Sequence, residues 1–380
     1  MTKNPLQQLH DAGQSIWLDF IDRTILRNGD LQRRVRDEAL TGMTSNPSIF
    51  EKALAEGTIY DDQLRAAPGE VTAMELFELI ATTDVRTACD IFRAVYDRTR
   101  GADGYVSIEV SPSAANDAQA TVSEAMRLWA TVDRPNVMIK IPGTVEGAKA
   151  VRQAIANGLN INITLLFSID AHKAVIDAYF AGLEDRVAAG KDIASIHSVA
   201  SFFVSRVDTE IDKRLDTLVG VHPGNQETLK ALYGKAAIAN AKLAYRLFRA
   251  ETMSSRWQAL SAKGATLQRP LWASTSTKNP AYRDVMYVEE LIGPDTVNTM
   301  PPATIDAFRD HGIVKRTVDA QVDEAERTIR TLEENGVSMR DVTDKLLADG
   351  LASFQKSFDT LLSGLQTKRK TLANELVSSR

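Results

Sequence analysis

Asn136-Val137-Met138-Ile139-Lys140-Ile141-Pro142-Gly143-Thr144 is the stretch that decides how the rest of the chain is read. Val137, Met138, Ile139 and Ile141 form a short apolar run, the pattern of a buried strand. Lys140 interrupts it, and lysine is almost never fully buried without a partner. Taking an ammonium out of water is costly, and a lysine whose pKa is lowered in that way is the nucleophile of Schiff-base chemistry. Pro142-Gly143-Thr144 ends the strand and a helix follows, so Lys140 sits at the carboxyl end of a strand that feeds a helix. Taken alone, the stretch favours a plainer reading: an edge-strand lysine whose stem packs while its ammonium reaches water.

The chain has 380 residues, room for one large domain or two ordinary ones. Its formal net charge is −5, with acids and bases mixed along the chain. That gives no case for nucleic acid or an anionic membrane as partner, and leaves a local basic pocket for a small phosphate open. Cys89 is the only cysteine, so there is neither an intramolecular disulfide nor a cysteine zinc site, and it reads as a packed, inert thiol. His10, His172, His197, His222 and His311 show no metal-ligand spacing. Residues 1–6 carry no charged segment leading into an apolar one, and no apolar run approaches membrane-spanning length. A soluble, cytoplasmic protein is the expectation.

Read in order, the chain offers eight strands: 15–20, 43–45, 104–110, 137–141, 160–167, one within 196–204, 271–274 and 296–300. Helical patterns fill most of the gaps, at 30–40, 47–100, 116–132, 145–156, 169–189, 207–218 and 226–260, with a loop at 220–224; from 305 the chain is helical and charged to its end. Strand alternating with helix implies parallel pairing, and eight such units point to a closed (β/α)8 TIM barrel. Residues 1–380 then form a single barrel domain with helical additions around 221–265 and 315–380. A doubly wound open sheet is the runner-up, but there is no glycine-rich fingerprint after the first strand, no P-loop and no repeat period.

A polar residue lies at the end of almost every strand: Asp19, Asn46, Glu109, Lys140, Asn162 with Thr164, Ser201, and Ser276 with Lys278. In a barrel these positions converge on the face where active sites are built. Seven successive units with polar residues at the same end are hard to explain by packing, because buried polar groups must pair with one another or with a ligand. Lys140 suits attack on a ketone to give an imine, an electron sink that permits cleavage of the adjacent carbon–carbon bond. Asp19 and Glu109 can supply the base for a β-hydroxyl proton and the acid for carbinolamine dehydration. Asn46, Asn162 and Ser201 suit sugar hydroxyls. Arg206, Ser276 and Lys278 suit a phosphate at the rim.

With these residues in view, the motifs TSNPSIF, SIEVSP, VMIKIPGT, INITLLFS and SVASFFVSRVD, in that order, resemble those of the transaldolases, over about residues 15–302. The length and added helices resemble the larger bacterial and plant-type members. The resemblance implies a class I aldolase barrel that transfers a dihydroxyacetone unit from sedoheptulose 7-phosphate to glyceraldehyde 3-phosphate, giving erythrose 4-phosphate and fructose 6-phosphate. It implies no metal or organic cofactor, and sugar phosphates as the partners. By motif, Lys140 is the Schiff-base lysine, and Asp19 the acid/base for carbon–carbon cleavage. Glu109 with Thr164 handles the water of imine formation and hydrolysis. Asn46, Asn162 and Ser201 bind dihydroxyacetone hydroxyls, and Arg206 binds phosphate. Two departures stand out: Phe202 follows Ser201 where the family often has proline, and Ser276-Thr277-Lys278-Asn279 stands where Ser-x-Arg-Asn is common. Lysine holds phosphate as a point charge, without arginine's fork.

Plainer roles compete at several positions. Asp19 could be a helix N-cap or a salt-bridge partner. Glu109 and Lys140 could be a structural ion pair, and both readings can hold together. Asn46 before Pro47 is a common turn arrangement. Phe203 reads as a pocket wall or core, and Arg206 as a possible surface partner of Asp208 or Glu210. A related Schiff-base aldolase and a silent sugar-phosphate-binding barrel are the competing functions; intact Asp19, Glu109 and Lys140 argue against the second. The sequence leaves monomer or homodimer open.

Overall fold

The eight strand segments form a closed, all-parallel barrel in the computed structural model, which describes residues 4–378 apart from 56, 69 and 222. His222 and the first three residues, on which two of the expectations above rest, lie outside the described residues. The strands are β1 Gln14–Asp19, β2 Leu40–Thr44, β3 Val106–Glu109, β4 Val137–Pro142, β5 Ile161–Leu166, β6 Ser198–Phe203, β7 Gln268–Ala273 and β8 Thr296–Met300. They follow one another around the barrel in chain order, and β8 closes on β1, which rules out the open doubly wound sheet. Closure leaves no edge strand. β4 pairs with β3 on one side and β5 on the other, so Lys140 is not an edge lysine.

Register sets the site before any side chain is considered. Glu109 lies opposite Lys140, Lys140 opposite Asn162, Pro142 opposite Thr164, and Asp19 opposite Thr44. The helix after β4, Val145–Asn157, is capped by Thr144, whose Oγ1 accepts from Gly147 N at 2.8 Å. Gly147 is needed there, because a Cβ would overlap the carbonyl of Pro142. Helix and strand end are thereby locked together one turn beyond Lys140.

Some boundaries differ from the sequence expectations, each for a local reason. β2 begins at Leu40 rather than Met43: Ala39 turns left-handed (φ 54°) after the helix Asp30–Asp37, and Gly42 fits against the Trp17 indole where a Cβ would clash. β7 begins at Gln268 rather than Leu271 and runs through Pro270, which has no N–H to give to the ladder. The expected long helix at 226–260 is three, Gln226–Lys230, Ala236–Thr252 and Ser255–Ser261. Gly234 at φ 67° and the N-cap Ser254 make the breaks. Residues 47–100 likewise hold three helices, Pro47–Ala55, Asp61–Ala66 and Ala73–Arg98. The final 40-residue helix, Met339–Ser378, lies across the first of these: Ser357 and Ser48 hydroxyls meet at 2.7 Å, and Phe358 packs edge-on against Phe77. No helix among the described residues is long and apolar enough to cross a membrane.

One buried titratable group in the wall gives a stability test. His172, on the helix Ile169–Ala188, is fully buried beside Phe202, and neither ring nitrogen has a hydrogen-bond partner among the described residues. Burial pulls its pKa down to about 4 from the usual 6.5. Above pH 6.5 neither folded nor unfolded chain binds that proton, and nothing is lost. As pH falls through 6.5 the unfolded chain takes up a proton that the folded one refuses until about pH 4, so stability drops over that window. The loss is of order 3 kcal/mol. His172→Leu should flatten the fall in urea midpoint between pH 6.5 and 4 relative to the parent; an unchanged slope contradicts a neutral, unpartnered ring.

Candidate active site

At the carboxyl ends of the strands the barrel opens into a cavity of about 490 Å³. Its walls include Asp19, Asn46, Lys140, Thr164, Ser201, Phe203, Arg206, Ser276 and Lys278. Of the residues singled out from sequence, only Glu109 and Asn162 do not line it; both lie beneath its floor. Convergence follows from parallel closure, which brings eight strand ends to one mouth.

Lys140 occupies the floor, 5% exposed. Its Nζ donates to the Ser45 carbonyl at 2.9 Å and lies 3.1 Å from Glu109 Oε2. Burial pushes the Glu109 carboxyl above its ordinary range, and the Lys140 charge only partly offsets that. The two make an ion pair between adjacent strands, so the structural reading of the pair is correct as far as it goes. Thr164 Oγ1, fully buried, has no hydrogen-bond partner among the described residues. It sits just before Leu165, which is left-handed (φ 58°) inside β5 where the ladder to β6 slips. A bulge at a barrel rim re-aims the side chains around it.

Asn162 is more committed than expected. Its Nδ2 donates to Ser107 Oγ at 3.0 Å, and its Oδ1 accepts from Ser201 Oγ at 2.6 Å. It orients Ser201, which reaches the cavity, rather than lining the cavity itself. Ser107, which the sequence reading left unassigned, carries the other end of this chain of bonds.

Asp19 ends β1 and, among the described residues, is neither a cap nor a salt-bridge partner; the cap of the following helix is Asp22. Asp19 Oδ1 accepts from Thr44 Oγ1 at 2.7 Å, and Thr44 Oγ1 meets Thr299 Oγ1 at 2.7 Å. Burial raises the Asp19 pKa; the Lys140 charge and the Thr44 hydrogen bond work against that rise. Asn46 does make the expected turn, its Oδ1 accepting from Ile49 N at 3.0 Å, while also facing the cavity.

The mouth is cationic. Arg206 lies 5.2 Å from the centre of the Phe203 ring and has no hydrogen bond or ion pair among the described residues. The surface pairing suspected from sequence is not made: Asp208 accepts from Tyr287 Oη and Ala237 N, and Glu210 pairs with Arg214. Lys278 Nζ donates to Ser276 Oγ at 2.8 Å. Desolvation lowers the pKa of both cations, and the Arg206 charge lowers that of Lys278 further. Two cations crowding one opening without a carboxylate counter-ion in contact form a seat for an anion.

Several lining residues escaped the sequence reading. Lys52, on the helix Pro47–Ala55, and Thr299, in β8, had no motif to mark them. Phe354 comes from the final helix Met339–Ser378, whose partner no local pattern reveals. Among the described residues no group of three histidines, cysteines or carboxylates could hold a metal ion.

Comparison with known proteins bears on the same strands. The model of the Transaldolase/Fructose-6-phosphate aldolase family matches residues 16–365. A protein of Thermobifida fusca called Transaldolase is 51% identical over 361 residues, 94% of this chain and 96% of its own. Transaldolase 2 of a Nostoc species is 48% identical over 379 residues, 98% of this chain and 100% of its own. Transaldolase of Trichodesmium erythraeum is 46% identical over 379 residues, 98% of this chain and 99% of its own.

The Asp19 environment makes a direct prediction. Its carboxyl, followed by carbon-detected NMR, should titrate above the ordinary value of 3.8, and Thr44→Val should move the midpoint higher still, because the lost hydroxyl favoured the charged form. A midpoint at or below 3.8, or a downward move in the variant, contradicts this account.

Proposed function

The chain belongs to the transaldolase/fructose-6-phosphate aldolase family and has transaldolase function, and we propose that it exercises that function through a Schiff base on Lys140. The observation that carries this is a buried lysine held 3.1 Å from a buried carboxylate on the floor of a cavity whose mouth is cationic. In this reading a phosphorylated ketose enters with its phosphate at Arg206, Ser276 and Lys278 and its ketone at Lys140. Glu109 takes the proton that leaves Lys140 neutral, and the amine adds to the carbonyl carbon. The carbinolamine loses water with Glu109 as acid and Thr164 holding the departing molecule, giving the imine.

Asp19, on the far side of the cavity, removes the proton of the hydroxyl β to the imine carbon. The bond between the α and β carbons breaks, its electron pair moves into the imine, and the β carbon leaves as the aldehyde of a shortened sugar. The three-carbon enamine remains on Lys140, its hydroxyls held by Ser201 and Asn46, with Asn162 fixing Ser201. An acceptor aldehyde then adds to the enamine carbon, Asp19 returns the proton, and water, activated by Glu109, frees the lengthened ketose. Phe203 walls the cavity and limits the water that could hydrolyse the intermediate early. The substrates are sedoheptulose 7-phosphate and glyceraldehyde 3-phosphate, the products erythrose 4-phosphate and fructose 6-phosphate. The reaction belongs to the non-oxidative pentose phosphate pathway of the cytoplasm, with residues 1–380 working as one barrel domain.

Borohydride reduction in the presence of fructose 6-phosphate, followed by peptide mass mapping, should place a reduced three- or six-carbon adduct on Lys140; an adduct elsewhere, or none, sinks the mechanism. Lys140→Arg keeps the charge and cannot form the imine. It should lower transfer by at least about 10⁴-fold in a coupled assay. Release of free dihydroxyacetone without acceptor would instead mark an aldolase.

A further inference from the structure

Along the helix Ser205–Val221, which begins directly after β6 and carries Arg206, three aspartates recur every fourth residue: Asp208, Asp212 and Asp216. Residues at this spacing share a helix face, and like charges there repel. Each is answered by a phenol. Tyr287 Oη donates to Asp208 at 2.8 Å, Tyr282 Oη to Asp212 at 2.5 Å, and Tyr233 Oη to Asp216 at 2.6 Å. Asp208 also accepts from Ala237 N at 2.8 Å, and Asp212 from Gly234 N at 3.2 Å. Among the described residues no arginine or lysine pairs with Asp208 or Asp212.

Tyr282 and Tyr287 come from the segment that follows β7, the one that presents Ser276 and Lys278. Residues 274–285 of that segment contain neither helix nor strand, and most of 278–284 is exposed. Such a loop is ordinarily mobile. It also has a reason to move away, since Lys278 is brought towards Arg206, a like charge whose presence lowers the Lys278 pKa after desolvation. At its start it is tied to the Arg206 helix by Ser205 N donating to Ser274 O at 3.0 Å, and by the Ser205 and Ser274 hydroxyls at 2.9 Å. Beyond Lys278, the hydrogen bonds to the same helix among the described residues are the two phenol–aspartate bonds.

We propose that Asp212 and Asp208, through the phenols of Tyr282 and Tyr287, are positioning residues that clamp the loop after β7 onto the Arg206 helix, so that Lys278 and Arg206 share one substrate phosphate. This rests on the reading that the rim holds the phosphate. The clamp acts first on the phosphate end, because Lys140, Glu109 and Asp19 stand on β4, β3 and β1 and only the charge of Lys278 reaches Asp19 from that loop. Like charges that would otherwise separate are held at one cavity mouth before the phosphate arrives, which lowers the ordering cost of binding.

The test separates the two ends. Tyr282→Phe removes one hydroxyl. It should raise KM for fructose 6-phosphate, and the inhibition constant of inorganic phosphate, by about three- to tenfold, the worth of one hydrogen bond, with kcat little changed. Borohydride trapping of Lys140 by unphosphorylated dihydroxyacetone should be unaltered. Asp212→Asn keeps an acceptor for the phenol and should retain most of the phosphate affinity, while Asp212→Leu should reproduce Tyr282→Phe. Unchanged phosphate constants in Tyr282→Phe and Asp212→Leu overturn the clamp, as does an equal loss of dihydroxyacetone trapping, which would mean general damage. Lys278→Gln tells the two readings apart. If it weakens phosphate while Tyr282→Phe does not, the clamp alone fails; if it too leaves phosphate constants unmoved, the phosphate rim fails and the clamp with it.

Discussion

A lysine and a glutamate, paired 3.1 Å apart on neighbouring strands and almost fully out of water, set the terms for the rest of this molecule. Such a pair is costly to assemble, and removing one partner leaves an uncompensated buried charge, a penalty of about 3–5 kcal/mol. Everything around it limits that cost. Barrel closure pairs β4 on both sides, so the lysine's backbone cannot shift. The Ser45 carbonyl takes one ammonium proton, and the Thr144 cap with Gly147 fixes the strand end that follows. The arrangement is poorly explained as a stability device, because apolar residues of similar volume would serve the core at least as well. It fits the proton transfer between Lys140 and Glu109 proposed above.

The floor and the mouth of the cavity solve opposite electrostatic problems. On the floor, burial raises the carboxyls of Glu109 and Asp19 towards the range where acid and base roles can alternate. At the mouth, burial weakens the hold of Arg206 and Lys278 on their protons, with the Asp19 charge acting against this, and among the described residues neither cation is in ion-pair contact with a carboxylate. An anionic substrate can satisfy the mouth without disturbing the pair below. Phe203, beneath the Arg206 guanidinium, separates the two regions with an apolar wall.

The barrel was legible because hydrophobic runs and helical periods alternate, and because a polar residue at one strand end after another has no packing explanation. What escaped was decided by contacts distant in the chain. Asn162 reads as a ligand-binding amide until Ser107 and Ser201 are seen to occupy it. Gln268-Arg269-Pro270 shows no strand pattern of its own, and its place in the ladder is set by pairing with β6. Asp19 as a cap and Arg206 as a surface cation were reasonable from neighbours alone; Asp22 and Tyr287 are what exclude them. The final helix showed its apolar positions but not its partner, since amphipathicity names a face without saying what covers it. Phe354 and Lys52 were therefore invisible as cavity residues, and the tyrosines facing Asp208 and Asp212 lie some seventy to eighty residues away in the chain.

Phe354 carries a consequence for how the protein is made. All eight strands are complete by Met300, so every strand of the barrel precedes the final helix in the chain. The cavity wall is finished only when that helix lies down across Pro47–Ala55, bringing Phe354 to the mouth and Ser357 to Ser48. Along the chain the scaffold comes first and this part of the lining last. The barrel positions Lys140 with residues that all precede Met300, whereas the wall around it is completed by a helix that is the last element of the chain.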